Sequence, residues 1–328
     1  MLADLEALAR TPGDDESAEA VRVRAGEVLR PRGALERLDE IAVWLARWQA
    51  SERPSVDRPA ALIFAGDHGV AVEGVSAYPQ SVTRAMIDAL QSGIATASVM
   101  AQRVGARLTV VDVGDGVPCG NIRTEPALTD AQLQKAVAVG REAVAGLGEV
   151  DLLIPGEVGI GNTTAAAAIA TALLGGDAGD WVGPGTGLDA DGLASKIAVV
   201  RDAVSRADVT DPLDALSELG GWELAAMAGA IVEARARSIP VLLDGFVVTS
   251  AALPLELARP GSLDHCWPAH VSAEPGHRRL VERMGRWPIL DLEMRLGEGS
   301  GALAAVPIVA LAADAVVQVA TFGEAGLL

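Results

Sequence analysis

Apolar residues in this chain fall into short runs separated by longer stretches patterned at helical spacing. The runs cover residues 60–64, 108–113, 150–154 and 240–243. None shows the polar alternation of a half-exposed strand, so each predicts a strand buried on both faces. Between them lie Ala-rich segments of helical length, at 81–102, 130–147, 163–174, 190–205 and 222–237. Strand, turn and helix repeated in this way predict an α/β fold, a doubly wound and mainly parallel sheet with helices on both faces. Ahead of the first strand, Leu35, Leu38, Ile41, Leu45 and Trp48 recur at helical spacing, and a polar, proline-containing stretch at 51–59 follows. The last apolar segment, 302–321, contains Pro307 and Asp314 and reads as a buried core helix, not a membrane span.

The runs end in similar chemistry. Asp67-His68-Gly69 follows the first, Gly114-Asp115-Gly116 the second, Pro155-Gly156-Glu157 the third and Asp244-Gly245 the fourth. Ligands of parallel sheets bind beyond the carboxyl ends of the strands, so these clusters predict one shared pocket. The stretch 155–164 is the most informative. Gly159 and Gly161 allow backbone to approach a ligand closely. Asn162 or Thr163 either caps the helix that follows or, with the free N–H groups there, receives a phosphate. No Gly-Lys-Ser/Thr follows, which excludes a Walker loop. Gly183-Pro184-Gly185-Thr186-Gly187 is a second glycine turn, with Lys196 one helical segment later. Two such turns and a lysine suit a single phosphate. Gln80, after Tyr78-Pro79, offers a donor and an acceptor to a flat heterocycle or is an ordinary helix-start residue. Glu298, between Gly297 and Gly299 at the entrance to the last helix, is either an acid favoured by the helix dipole or a carboxylate presented to a ligand.

Composition narrows the partners. The 328 residues carry 26 basic and 44 acidic side chains, a net charge of −18. That excludes a broad nucleic-acid surface or an anionic membrane partner, while leaving room for a local phosphate site made of backbone N–H groups. Aromatic residues are only 3%, so the core must be built from Ala, Val, Leu and Ile. Cys119 and Cys266 lie far apart, which argues against a disulfide framework and for the cytoplasm. Residues 1–6 lack the basic region and apolar run of a secretory signal. No metal or cofactor is expected. Asp67-His68 has no second ligand at metal spacing, and His265, Cys266, His270 and His277 match no zinc pattern. Those four read as loop residues, with His270 and His277 near the pocket. Asp112 stands alone between Val111 and Val113, where a transferase using a pyrophosphate sugar needs adjacent acids for magnesium. The residues alone therefore reach an α/β enzyme that binds a phosphorylated small molecule.

A longer series of motifs extends this reading. It comprises Arg-Gly-Ala-Leu-Glu-Arg-Leu at 32–38, Gly-Asp-His-Gly-Val at 66–70, Glu-Gly-Val-Ser-Ala-Tyr-Pro-Gln at 73–80 and Gly-Glu-Val-Gly-Ile-Gly-Asn-Thr-Thr at 156–164. It continues with Gly-Thr-Gly at 185–187, Gly220-Gly221, Leu-Asp-Gly-Phe at 243–246 and Glu-Pro-Gly-His at 274–277. Met-Arg-Leu-Gly-Glu-Gly-Ser-Gly at 294–301 and Ala-Thr-Phe-Gly-Glu-Ala at 320–325 complete it. In this order, over nearly the whole chain, the motifs resemble those of the nicotinate-nucleotide–dimethylbenzimidazole phosphoribosyltransferase family, the CobT enzymes of cobalamin assembly.

The resemblance implies transfer of the 5-phosphoribosyl group from nicotinate mononucleotide to 5,6-dimethylbenzimidazole, giving α-ribazole 5′-phosphate and nicotinate with inversion at the anomeric carbon. It leaves open the same chemistry on adenine, another benzimidazole or a phenol, and a non-catalytic nucleotide-binding protein. By position, Glu298 matches the general base and Glu157 a second acid at the site. Ser76, Tyr78, Gln80 and Leu296 match the acceptor-base wall. Gly159, Gly161, Asn162, Thr163, Gly185, Thr186, Gly187 and Lys196 match the ribose-phosphate site. The resemblance also implies a homodimer and no metal. It further implies a smaller, mostly helical domain from residues 1–54 and 271–328 beside an α/β domain of 55–270. The chain departs from the family pattern in a shorter stretch at 113–126, in Pro184 where many members carry a basic residue, and in Glu293 where a glycine is usual.

Overall fold

The apolar runs supply all but one strand of the main sheet. In the computed structural model, which describes residues 12–327, β1 (Pro59–Ala65), β2 (Arg107–Asp112), β3 (Leu152–Val158), β4 (Val241–Leu243) and β5 (Cys266–Pro268) stand in the order β2-β1-β3-β4-β5. Every pairing in it is parallel. Residues 1–6, read for a secretory signal, lie outside the described residues. The chain leaves β1 toward β2 on one side and later returns to β3 on the other. A crevice therefore opens at the carboxyl ends of β1 and β3, where parallel sheets of this order bind ligands.

The helices in chain order are α1 (Asp15–Ala25), α2 (Glu36–Gln49), α3 (Ser81–Gln91), α4 (Thr96–Arg103), α5 (Asp130–Ala145) and α6 (Asn162–Leu174). They continue with α7 (Ala190–Arg206), α8 (Trp222–Ala236), α9 (Phe246–Ala258), α10 (Pro275–Arg283) and α11 (Ser300–Val317). Strand alternation divides them between two faces. Leu62, Phe64, Leu153, Val241 and Leu243 point into one core with α5, α6, α8 and α9. Ile63, Leu152, Ile154 and Leu242 point into the other with α2, α3, α4 and α11. With few aromatic residues to fill space, helices approach closely. A Cβ on Gly140 of α5 would collide with the backbone of Ala226 in α8, and one on Gly229 with that of Val137. Helix α11 is the one described helix long and apolar enough to cross a membrane, yet 61% of it is buried. Its Leu303, Val306 and Val309 pack under the sheet. Toward its far end Val316 meets Val21, Ala25, Ala42 and Ala46 of α1 and α2, and the Arg24 guanidinium donates to Val316 O at 3.0 Å.

Several local expectations are corrected. The helix expected over 81–102 is two helices, α3 and α4, because Gly93 turns the chain at φ 82°. Strand β2, at the sheet edge, is only partly covered and is not buried on both faces. Cys266, His270 and His277 are not loop residues: Cys266 begins β5, His270 begins β6 (His270–Val271), which pairs with β7 (Leu290–Asp291), and His277 lies in α10.

Candidate active site

A cleft of about 550 Å³ opens at the carboxyl ends of the strands. Glu298 enters it from the turn before α11. Gly297, Glu298 and Gly299 have φ of 84°, 60° and 73°, a left-handed run that glycine adopts freely and glutamate does not. Glu298 does not cap the helix. Asp244, immediately after β4, does so in its place, accepting the Ala302 N–H at 2.9 Å. The helix dipole is thus answered from another strand, and Glu298 faces the cleft with Oε2 buried and without a protein partner. Burial raises its pKa and the Asp244 charge adds to the rise, against the N–H of Ala97 at the start of α4.

Glu157 lies beside it because β3 runs on to Val158. The Glu298 N–H donates to Glu157 O at 3.2 Å, and a Cβ on Gly156 would fall 2.6 Å from Gly299 N. The strand end and the glycine turn therefore touch backbone to backbone. The Glu157 carboxyl fills the space a side chain at Gly297 would need and accepts from Asn162 Nδ2. Burial, then Asp244 and Glu223, push its pKa well above the usual carboxylate range, with Glu298 adding to the rise and the Asn162 amide opposing it. His270, also on the cleft wall, has Nε2 3.6 Å from Asp244 Oδ1.

The opposite end is built for an anion. Helix α6 starts from Gly161 at φ 104° with no side-chain cap. The Asn162 N–H donates to Gly159 O at 3.2 Å and the Thr164 N–H to Gly161 O at 2.9 Å, which leaves Thr163 to meet an anion at the cleft wall. Lys196 of α7 is wholly buried, and its Nζ donates to Thr163 Oγ1 at 2.7 Å and to Gly183 O at 3.3 Å. Burial lowers its pKa to about 8, with Glu274 acting the other way. The 183–187 turn reaches across to the 76–78 turn: Thr186 Oγ1 lies 2.9 Å from Ser76 Oγ and accepts the Ala77 N–H at 2.9 Å. Glu274 and Arg295 brace the turn from below, Glu274 Oε1 accepting the Gly185 N–H at 3.1 Å and Arg295 donating to Gly185 O at 3.0 Å.

Of the residues singled out in the sequence, Glu157, Glu298, Ser76, Tyr78, Leu296, Gly159, Gly161, Asn162, Thr163, Gly185 and Thr186 share the cleft wall. Lys196 stands behind Thr163. Gln80 and Gly187 stand outside that lining: Gln80 Nε2 is buried without a partner, and Gly187, at φ 111°, has open space beside its Cα. Pro184 closes its turn through its carbonyl, which accepts the Gly187 and Leu188 N–H groups at 3.0 Å. Glu293 is exposed at φ 54°. The short 113–126 stretch buries Cys119 and Ile122 and is tied to the end of β1 by the Cys119 N–H, which donates to Asp67 O at 2.8 Å. Glu274, Arg295 and the helix-capping role of Asp244 were not legible beforehand, because each acts across a long sequence separation. Among the described residues no group of three or more His, Cys, Asp or Glu side chains is arranged to hold a metal.

Comparison with known proteins agrees with this geometry. The model of a family described as Phosphoribosyltransferase matches residues 11–327. A nicotinate-nucleotide–dimethylbenzimidazole phosphoribosyltransferase of Brucella anthropi is 47% identical over 325 residues, covering 98% of this chain and 95% of that protein. One from Sinorhizobium medicae is 48% identical over 328 residues, covering 99% of this chain and 96% of its own length. The crystal structure of CobT from Thermus thermophilus superposes with a TM-score of 0.90 at 39% identity, covering 95% of this chain and 99% of that one. The chain belongs to the nicotinate-nucleotide–dimethylbenzimidazole phosphoribosyltransferase family.

Proposed function

We propose that this cleft transfers the 5-phosphoribosyl group of nicotinate mononucleotide to 5,6-dimethylbenzimidazole, producing nicotinate and α-ribazole 5′-phosphate for the lower ligand of cobalamin. One observation carries the reading: a buried carboxylate, Glu298, whose Oε2 has no partner, shares a cleft with a helix start that no side chain caps, backed by a lysine. In the donor the nicotinate nitrogen is quaternary. When the C1′–N bond breaks, its electron pair returns to that nitrogen and the ring leaves without needing a proton. The lone pair of one benzimidazole nitrogen forms the new bond to C1′ from the opposite face, which inverts the centre. The ring is then cationic, and the N–H of its second nitrogen must be lost. Glu298 accepts that proton, and its raised pKa makes it a stronger base than an exposed glutamate. Glu157 sits where a cationic pyridinium and a positively charged sugar centre would draw it toward its carboxylate form.

The phosphate is held at the Gly159–Thr163 turn and by the Gly185–Thr186 turn, with Lys196 supplying charge through Thr163. Val75, Tyr78, Val82, Met86 and Leu296 line the same cleft. They suit a methylated bicyclic base better than adenine, whose amino group would lose its water partners against them. We also infer a homodimer, supported by exposed apolar side chains such as Val72, Ile94, Leu292 and Leu311. A cytoplasmic setting is in keeping with two free, buried thiols. The deciding experiment is incubation of the purified protein with nicotinate mononucleotide and 5,6-dimethylbenzimidazole, followed by chromatography. One equivalent of nicotinate per ribazole phosphate is expected. Nicotinate released only with a different base would overturn the acceptor, and none with any base would overturn the transfer.

A further inference from the structure

Behind the phosphate side of the cleft lies a charged pair that the transfer chemistry does not use. His68 follows β1, Glu223 lies in the first turn of α8, and both side chains are wholly buried. Nε2 of His68 stands 2.5 Å from Oε1 of Glu223, and Nδ1 stands 3.7 Å from Cys119 Sγ. Burial opposes charge on the imidazole, but Glu223 and Cys119 override it and hold His68 well above its ordinary pKa. The second Glu223 oxygen, Oε2, is buried without a partner, so the alignment of the pair depends on the contact with His68.

Glycine backbone surrounds this pair. A Cβ on Gly66 would collide with Glu223 Oε2, and one on Gly159 would lie 2.9 Å from Glu223 Oε1. A Cβ on Gly161 would stand 3.1 Å from His68 Cβ, and one on Gly221 would lie 2.6 Å from His68 Cε1. Gly159 and Gly161 are part of the cleft wall. A single layer of main chain therefore separates the pair from the ligand space.

We propose that His68 and Glu223 are positioning residues for the donor nucleotide: packed behind Gly66, Gly159 and Gly161, they fix where that backbone meets the ribose phosphate. The proposal rests on the transfer reading above. Its test compares the wild type with His68→Leu and His68→Gln, varying each substrate in turn. His68→Leu is expected to raise KM for nicotinate mononucleotide about tenfold while KM for dimethylbenzimidazole stays within about twofold. His68→Gln, which restores an N–H directed at Glu223, is expected to recover most of that loss. An unchanged donor KM in a folded His68→Leu protein, or an equal rise in both KM values, overturns the proposal.

Because His68→Leu leaves a buried carboxylate alone and can unfold the chain, the wild type carries a second test. The protein has four histidines, few enough to assign by ring NMR. Saturating nicotinate mononucleotide is expected to shift the His68 ring signals and to leave those of His265, at the amino end of β5, in place. An unmoved His68 signal overturns the proposal. Failure of the wild type to release nicotinate would instead overturn the transfer reading, and the ring shift would still decide the positioning role.

Discussion

Glu298 owes its place in the cleft to Asp244. An acid before a helix ordinarily serves the helix, but here the Ala302 N–H is already taken by a carboxylate 58 positions away. The freed carboxylate is the base of the proposed reaction, so Glu298→Gln should lower kcat by about 10²–10⁴. The dissociation constant for nicotinate mononucleotide, read by calorimetry, should change little, and wild-type turnover in that variant would remove Glu298 from the mechanism. Asp244 also raises the pKa of Glu298 by its charge. The base must be ionised, so activity falls as pH drops through that pKa. In Asp244→Asn the acidic limb of the kcat/KM profile should therefore move to lower pH, and an unmoved limb would show that the charge does not reach Glu298. At the other end of the profile, Lys196 loses its charge as pH rises past about 8. Donor kcat/KM should decline there, while the acceptor KM stays level. From the sequence Glu298 was visible as a carboxylate among glycines. The residues around it left its two readings open, and only the family resemblance favoured the base, because the contact that frees it comes from Asp244, just beyond β4.

At the scale of elements, the site depends on β3 meeting the glycine turn before α11. Gly297 has φ 84° and no room for a Cβ over Glu157. Gly297→Ala should lose about 1–3 kcal/mol of stability from the strained backbone alone, seen as a lower urea midpoint, and should lose most activity as Glu157 and Glu298 are pushed apart. An active, fully stable Gly297→Ala protein would mean that the turn is not under this constraint. The elements that sequence patterning recovers are those with a strong local signature. Strands β1 to β4 are built around short apolar runs, and α5 to α8 are long and bounded by turns. Helix α9 is apolar all round and carries no period to read. Strand β5 is three residues, Cys-Trp-Pro, and exists because β4 offers it an edge. Patterning also joined α3 to α4, since one glycine in a helical stretch is weak evidence of a break until the chain is seen to turn at Gly93.

Over the whole molecule, the same buried acids that make the cleft reactive set how stability responds to pH. Glu157, Glu298 and Asp244 all titrate above their ordinary values, chiefly through burial. Above the ordinary carboxyl range the folded chain therefore holds protons that the unfolded chain has lost, and stability falls as pH rises. His68 is also raised, so its contribution is complete below the ordinary histidine value of 6.5 and is lost as pH climbs through its folded value. Opposing groups act elsewhere. His265 and His277, lowered to about 3, favour folding with rising pH only up to 6.5, and Lys196, lowered to about 8, does so only above about 8. Between 6.5 and 8 the raised His68 acts unopposed by these groups, and the net charge of −18 adds self-repulsion in the same direction. The unfolding temperature measured by calorimetry is thus expected to fall steadily from pH 6.5 to 8. Glu157→Gln has no proton to lose at that position and should show a shallower loss of stability above the ordinary carboxyl range. Added salt should raise the whole curve by screening the surface charge, yet leave most of the slope, because His68 is buried. A slope that vanished in salt would place its origin in the surface charge and not in the buried histidine.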